Sequence, residues 1–131
     1  MEKKYWSGSH TKHRVKYHIV WAPKYRKRIL DGKLAIRLKE LLIECIEVNR
    51  WEIDEISIQK DHVHLLIQFV PSISISDMVQ ILKGGTSRVI RDEFPDLKEF
   101  LWGSSLWADG YFVESVGSFE ENIIQNYIQN Q

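Results

Sequence analysis

Histidines stand at positions 62 and 64, inside the otherwise apolar run DHVHLLI at 61–67. Side chains two apart on a strand point the same way and lie about 6.5–7 Å apart along the chain. Two imidazoles held like this can converge on one divalent ion, and histidine is the commonest metal ligand. They make half a site, so a further group must come from elsewhere. The plainer reading is a pair of half-buried histidines hydrogen-bonded to neighbours, and the tripeptide alone does not separate the two.

The end of the chain offers the missing chemistry. In SFEENIIQNYIQNQ (118–131), Tyr127 and Gln131 are four apart and share one face of a helix. If that helix lies across the histidine face, Gln131 can present a carbonyl oxygen to the ion and Tyr127 its phenol. A tyrosine beside a metal suggests a nucleophile, because a covalent intermediate divides one hard displacement into two easier ones. Packing of Tyr127 with Ile123, Ile124 and Ile128 as an amphipathic tail is the competing account.

The elements that must position these groups follow from hydrophobic period. Thr11–Ala22 alternates, with Val15, Tyr17, Ile19 and Trp21 on one face and Arg14, Lys16 and His18 on the other. Residues 33–49 take a helical period through Leu34, Leu38, Leu41, Leu42 and Cys45. Trp51–Gln59 and His62–Phe69 form a hairpin across Lys60-Asp61. In its second strand Val63, Leu65, Ile67 and Phe69 face the core, and His62, His64, Leu66 and Gln68 face away. A second helix runs from Ile75 to Phe94, with Ser74 or Ser76 as its cap and Gly84-Gly85 interrupting its stripe. Residues 96–110 read as a loop with a short turn or strand. Tyr111–Val116 is the last strand, and Ser118 to Glu121 has the form of a capping box opening the terminal helix. The order β-α-β-β-α-β plus a C-terminal helix is an α+β, ferredoxin-like arrangement: one antiparallel sheet with helices on one face, a single domain over 1–131.

Bulk properties narrow the class. The chain has 131 residues, 44% hydrophobic and 27% charged, with no apolar run near the roughly 18 residues of a membrane span. The polar, basic N-terminus MEKKYWSGSHTKHR lacks the apolar stretch of a secretory signal. Cys45 is the sole cysteine, which excludes an internal disulfide and suits a reducing compartment; a cytoplasmic location is expected. Net charge is zero, but residues 1–37 hold eleven Lys and Arg against Glu2 and Asp31, and the rest holds seven basic and sixteen acidic residues. Such a split suits a polyanion, though two solvated faces would also produce it.

Further segments accompany the His-x-His: YHIVWAPKYRKRIL (17–30), LKGGTSRVIRDEFP (82–95), LWADGYFVESVG (106–117) and the closing NYIQNQ. Together and in order they resemble the single-tyrosine HUH transposases, enzymes of bacterial and archaeal insertion sequences that move as single-stranded DNA. The resemblance implies that Tyr127 attacks a DNA phosphodiester, is joined to the 5′ phosphate and frees a 3′ hydroxyl. A second 3′ hydroxyl then reverses the attack without hydrolysis. It implies His62, His64 and Gln131 as ligands of Mg²⁺ or Mn²⁺, of which Mn²⁺ suits histidine better. It further implies DNA hairpins at the element's ends as partners, and a homodimer whose tyrosine helix can sit over the other protomer's histidines.

The DNA-binding residues can be read more directly, because Lys and Arg supply phosphate contacts. Arg14, Lys16, Lys24, Arg26, Lys27 and Arg28 are expected to bind DNA, with Tyr25 stacking on an unpaired base. On the second helix Lys83, Arg88 and Arg91 join them, and Gly84-Gly85 would let DNA, a partner helix or the sheet come close. Two other readings stay open. One is a non-enzymatic nucleic-acid-binding module of RNA-recognition type, using the sheet face without Tyr127. The other is a metal-dependent hydrolase in which His10, His13 or His18 completes the pair.

Overall fold

The structure is a computed structural model and describes residues 15–68, 73–101 and 105–117. Its elements are β1 (Val15–Trp21), α1 (Gly32–Val48), β2 (Glu52–Gln59), β3 (His62–Gln68), α2 (Ile75–Glu93), α3 (Leu97–Leu101) and β4 (Phe112–Gly117), with a 3₁₀ turn at Lys24–Arg26. The strands form one sheet in the order β2-β3-β1-β4, and every neighbouring pair is antiparallel. This is the ferredoxin-like arrangement that alternation and element order predict. The Ser118 capping box and the terminal helix lie outside the described residues.

Strand parity decides which side chains are buried. Ile19 and Trp21 of β1 and Val63, Leu65 and Ile67 of β3 point into the core. There they meet Leu34, Leu38, Leu42 and Ile46 of α1 and Met78, Val79, Leu82 and Ile90 of α2. The opposite face carries His18, Val20, His62, His64 and Leu66, all half-buried. On α1 the stripe closes on Ile46 rather than Cys45, which is half-buried. Arg37 ties the two long helices together through a fork to Glu93, Nε to Oε1 at 2.9 Å and Nη2 to Oε2 at 3.1 Å.

Helix ends show how local chemistry sets boundaries. Ser74 caps α2, its hydroxyl accepting from the Asp77 N–H at 3.0 Å, which satisfies one of the unpaired donors of the first turn. After α1 the Trp51 N–H donates to Ile46 O and the Arg50 N–H to Glu47 O. These paired bonds make a Schellman ending, a position where glycine is favoured. Arg50 holds it with φ +62°. Arg50→Gly should raise stability by about 0.5–1 kcal/mol, the left-handed penalty less glycine's larger unfolded-state entropy. An unmoved or lowered denaturant midpoint would count against that balance.

α2 runs through Gly84-Gly85, as a helix over 75–94 requires. A Cβ on Gly85 would meet Cys45 Sγ at 3.7 Å, so this glycine faces α1 and not the sheet. The segment after α2 forms a short helix, whose Leu97 and Leu101 complete the core. It then runs beside the end of β1, through the Pro23–Trp107 bridge. Trp107 is locked there: its indole N–H donates to Thr86 Oγ1 at 3.1 Å, and that hydroxyl bonds back to Leu82 O at 2.9 Å. Thr86→Val should cost about 1–3 kcal/mol because it strands the indole donor in the core, whereas Thr86→Ser keeps the acceptor. Equal denaturation midpoints for the two variants would contradict this.

Candidate active site on the open sheet face

β3 places His62 and His64 side by side on the face turned away from the helices. His62 pairs with Gln59 across the hairpin, and His64 lies opposite Ser57 of β2 and Val20 of β1. Each imidazole has a defined partner. His62 Nδ1 is 2.9 Å from Asp61 Oδ1, and Arg26 Nη2 donates to Asp61 Oδ2 at 3.0 Å. His64 Nε2 is 3.0 Å from His18 Nδ1, with the two rings stacked 5.1 Å apart at 18°. One of these two rings donates and the other accepts.

The electrostatics follow from these contacts. Burial, with His18 beside it, pushes His64 below the usual histidine range, which favours a neutral ring. The hydrogen bond from His62, with Arg26 close by, holds the Asp61 carboxyl below its ordinary value. The donor set suits a divalent ion that accepts nitrogen. Two imidazoles share a face, one backed by a carboxylate as metal-bound histidines commonly are. Among the described residues no group of three His, Cys, Asp or Glu side chains converges on a common point. Gln131 and Tyr127 lie outside the described residues, as does Arg14.

His62 and Arg26 open onto a cleft of about 380 Å³ whose far wall is Ala108, Asp109, Gly110 and Tyr111. Lys83 braces that wall, donating from Nζ to Ala108 O at 2.9 Å and Gly110 O at 2.7 Å. Its half-buried ammonium is therefore held by two backbone carbonyls. Lys16 is buried, with Nζ 2.7 Å from Asp54 Oδ2. In both cases helix or strand spacing located the residue, and a partner distant in sequence took the charge.

Other expected DNA contacts stay at the surface. Arg26 and Arg28 are exposed, Lys24 and Lys27 half-exposed. Tyr25 projects from the 3₁₀ turn at 60% exposure, so its ring is available for stacking. Arg88 and Arg91 line a second cleft of about 470 Å³ between α2 and α3, with Gly84, Ser87 and Lys98. Two residues carry more of the site than the sequence reading assigned them. Asp61 was legible only as a turn residue, although a carboxylate directly before the first histidine was a usable signal. His18 was a candidate among three histidines, and only strand pairing brings it to His64; His10 and His13 lie outside the described residues.

An antiparallel sheet with helices packed on it is shared with solved transposase structures. A crystal structure from Deinococcus radiodurans R1, described as a transposase, covers 100% of this chain and 98% of its own, with TM-score 0.76 and 35% identity. A REP-associated tyrosine transposase bound to a REP hairpin shares the fold, with TM-score 0.54 and 12% identity over 88% of this chain and 61% of that one. In sequence, the ISDra2 transposase TnpA of Deinococcus radiodurans is 37% identical over 119 residues, 91% of this chain and 85% of the relative. The transposase for insertion sequence element IS200 of Salmonella typhimurium is 35% identical over 125 residues, 95% and 82% of the two chains. The family model "Transposase IS200 like" matches residues 11–131, a span that includes Arg14, both strand histidines, Tyr127 and Gln131. The chain belongs to the IS200-like transposase family. It is thus a transposase, an enzyme class that cleaves DNA, and among the described residues no helix is long and apolar enough to cross a membrane.

Proposed function

We propose that this transposase cuts and rejoins single-stranded DNA through a covalent 5′-phosphotyrosine. The observation that carries the reading is the histidine pair on the open face of β3, one ring oriented by a carboxylate, in a chain of this family. In the first step the Tyr127 phenolate oxygen bonds to phosphorus and the P–O3′ bond breaks. The departing 3′ oxygen takes up a proton as the phenol gives up its own. A second 3′ hydroxyl reverses this exchange, so bond energy is retained without ATP. His62, His64 and Gln131 would hold Mg²⁺ or Mn²⁺, which when bound supplies Lewis-acid stabilisation of phosphoryl charge. The protein's own part is to hold those donors on a rigid strand and the phosphate in line with the phenol.

Lys24, Arg26, Lys27 and Arg28 would grip the DNA backbone beside this face, with Tyr25 stacking on a base. Arg88 and Arg91 extend the basic surface along α2, and Arg14 would add a further phosphate contact. Hairpin-bearing single strands are the proposed substrates, and a homodimer sharing its active sites the proposed assembly. The test is mass spectrometry of the full chain after incubation with a hairpin-bearing single strand and Mn²⁺ or Mg²⁺. A nucleotide adduct on Tyr127 is expected. The approach of His18 to His64 favours a second reading, metal-dependent hydrolysis; a free 5′ phosphate with no adduct would select it.

A further inference from the structure

We propose that Asp61 is a positioning residue for His62, and that Arg26 reaches from the basic turn to hold it in that role. An ionised carboxylate can only accept hydrogen bonds. The 2.9 Å contact with Asp61 Oδ1 therefore puts the ring proton on His62 Nδ1. In a neutral imidazole the free lone pair is then on Nε2. The second oxygen, Oδ2, is occupied separately by Arg26 Nη2 at 3.0 Å. The carboxylate thus holds different partners on its two oxygens and cannot rotate without losing one.

The backbone supports this arrangement from both sides. Asp61 sits in the two-residue turn between β2 and β3, directly after the Gln59–His62 pairing, so the hairpin fixes its position. Arg26 and the preceding Tyr25 both adopt left-handed conformations, with φ +51° and +60°. For non-glycine residues that costs about 1–2 kcal/mol each. Such strain persists where the surroundings demand it, and this turn is the one that delivers Arg26 to Asp61. With Arg26 69% exposed, the ion pair contributes little stability. Its effect is orientation: it selects the tautomer and the ring angle with which His62 meets a ligand.

The geometry stands by itself, while its consequence for metal rests on the proposed role of His62. Imidazole nitrogen NMR of the full chain, free of metal and DNA, reads the tautomer directly. His62 should carry its proton on Nδ1 in the parent protein. Asp61→Ala should release it toward the Nε2–H form, and Asp61→Asn, whose amide oxygen still accepts, should retain Nδ1–H. Titration with Mn²⁺ alone should show affinity lowered about 10–100-fold in Asp61→Ala, the range typical of groups behind a metal ligand. Arg26→Ala should fall between the two. In a His62→Ala background Asp61→Ala should have no further effect. A parent His62 protonated on Nε2, or a tautomer and Mn²⁺ affinity both unmoved by Asp61→Ala, overturns the proposal. The tautomer readout needs no DNA, so absence of strand transfer would sink the functional reading and leave this one standing. Adduct formation alongside an unmoved tautomer would do the reverse.

Discussion

Tyr127→Phe abolishes the covalent protein–DNA adduct while leaving binding of the hairpin strand within about twofold. The substitution removes one oxygen and keeps the ring. No other group then supplies the oxygen that must bond to phosphorus. Loss of a nucleophile commonly costs about 10⁴-fold or more in rate, well below detection on a denaturing gel. Binding should persist because phosphate affinity comes from charge, and the basic turn at Lys24–Arg26 lies on a different element. The comparison requires both measurements on one preparation: gel-shift affinity and adduct yield. An adduct of undiminished yield in the variant would place the nucleophile elsewhere and end the phosphotyrosine mechanism.

The second large effect is expected at the histidines. His62→Ala and His64→Ala each remove an imidazole from the open face, and strand cleavage should fall by about 10²–10⁴-fold, equivalent to the several kcal/mol of charge stabilisation a metal supplies. Folding should change far less, because both side chains are half-buried and lie outside the hydrophobic cluster. By contrast Leu65→Ala, in the same strand but fully buried, should cost about 2–5 kcal/mol. The contrast between neighbours on one strand separates chemistry from packing. If His64→Ala lost as much stability as Leu65→Ala, its lost activity would say nothing about metal. The same variants report on assembly. Mixing Tyr127→Phe with His64→Ala should restore part of the adduct if the tyrosine acts across a dimer, and none if each chain acts alone.

Much of this site was legible before the fold was known, for a local reason. Side-chain alternation on a strand depends only on residue number, so His62 and His64 had to share a face, and Val63, Leu65 and Ile67 the opposite one. Helix period and Ser74 located α1 and α2, and the order of elements was enough to choose the ferredoxin-like sheet. The basic cluster at Lys24–Arg28 was visible as charge density. These features are set by neighbours within a few residues along the chain.

What only the tertiary structure decided are the partners. His18 meets His64 across 46 residues because β1 pairs with β3 in one register; a slip of one residue would turn His18 to the other face. Lys16 and Lys83 look like free cations in the sequence. Folding carries Asp54 to one and the carbonyls of Ala108 and Gly110 to the other. Arg26 finds Asp61 across 35 residues through a turn whose left-handed backbone no residue type there announces. The sequence by itself determined the elements, their faces and the residues able to do chemistry, because those depend on local period and composition. Which charge is spent inside the protein, and which ring is held by which neighbour, depends on strand pairing and chain reversal, and these are settled only when the whole core packs.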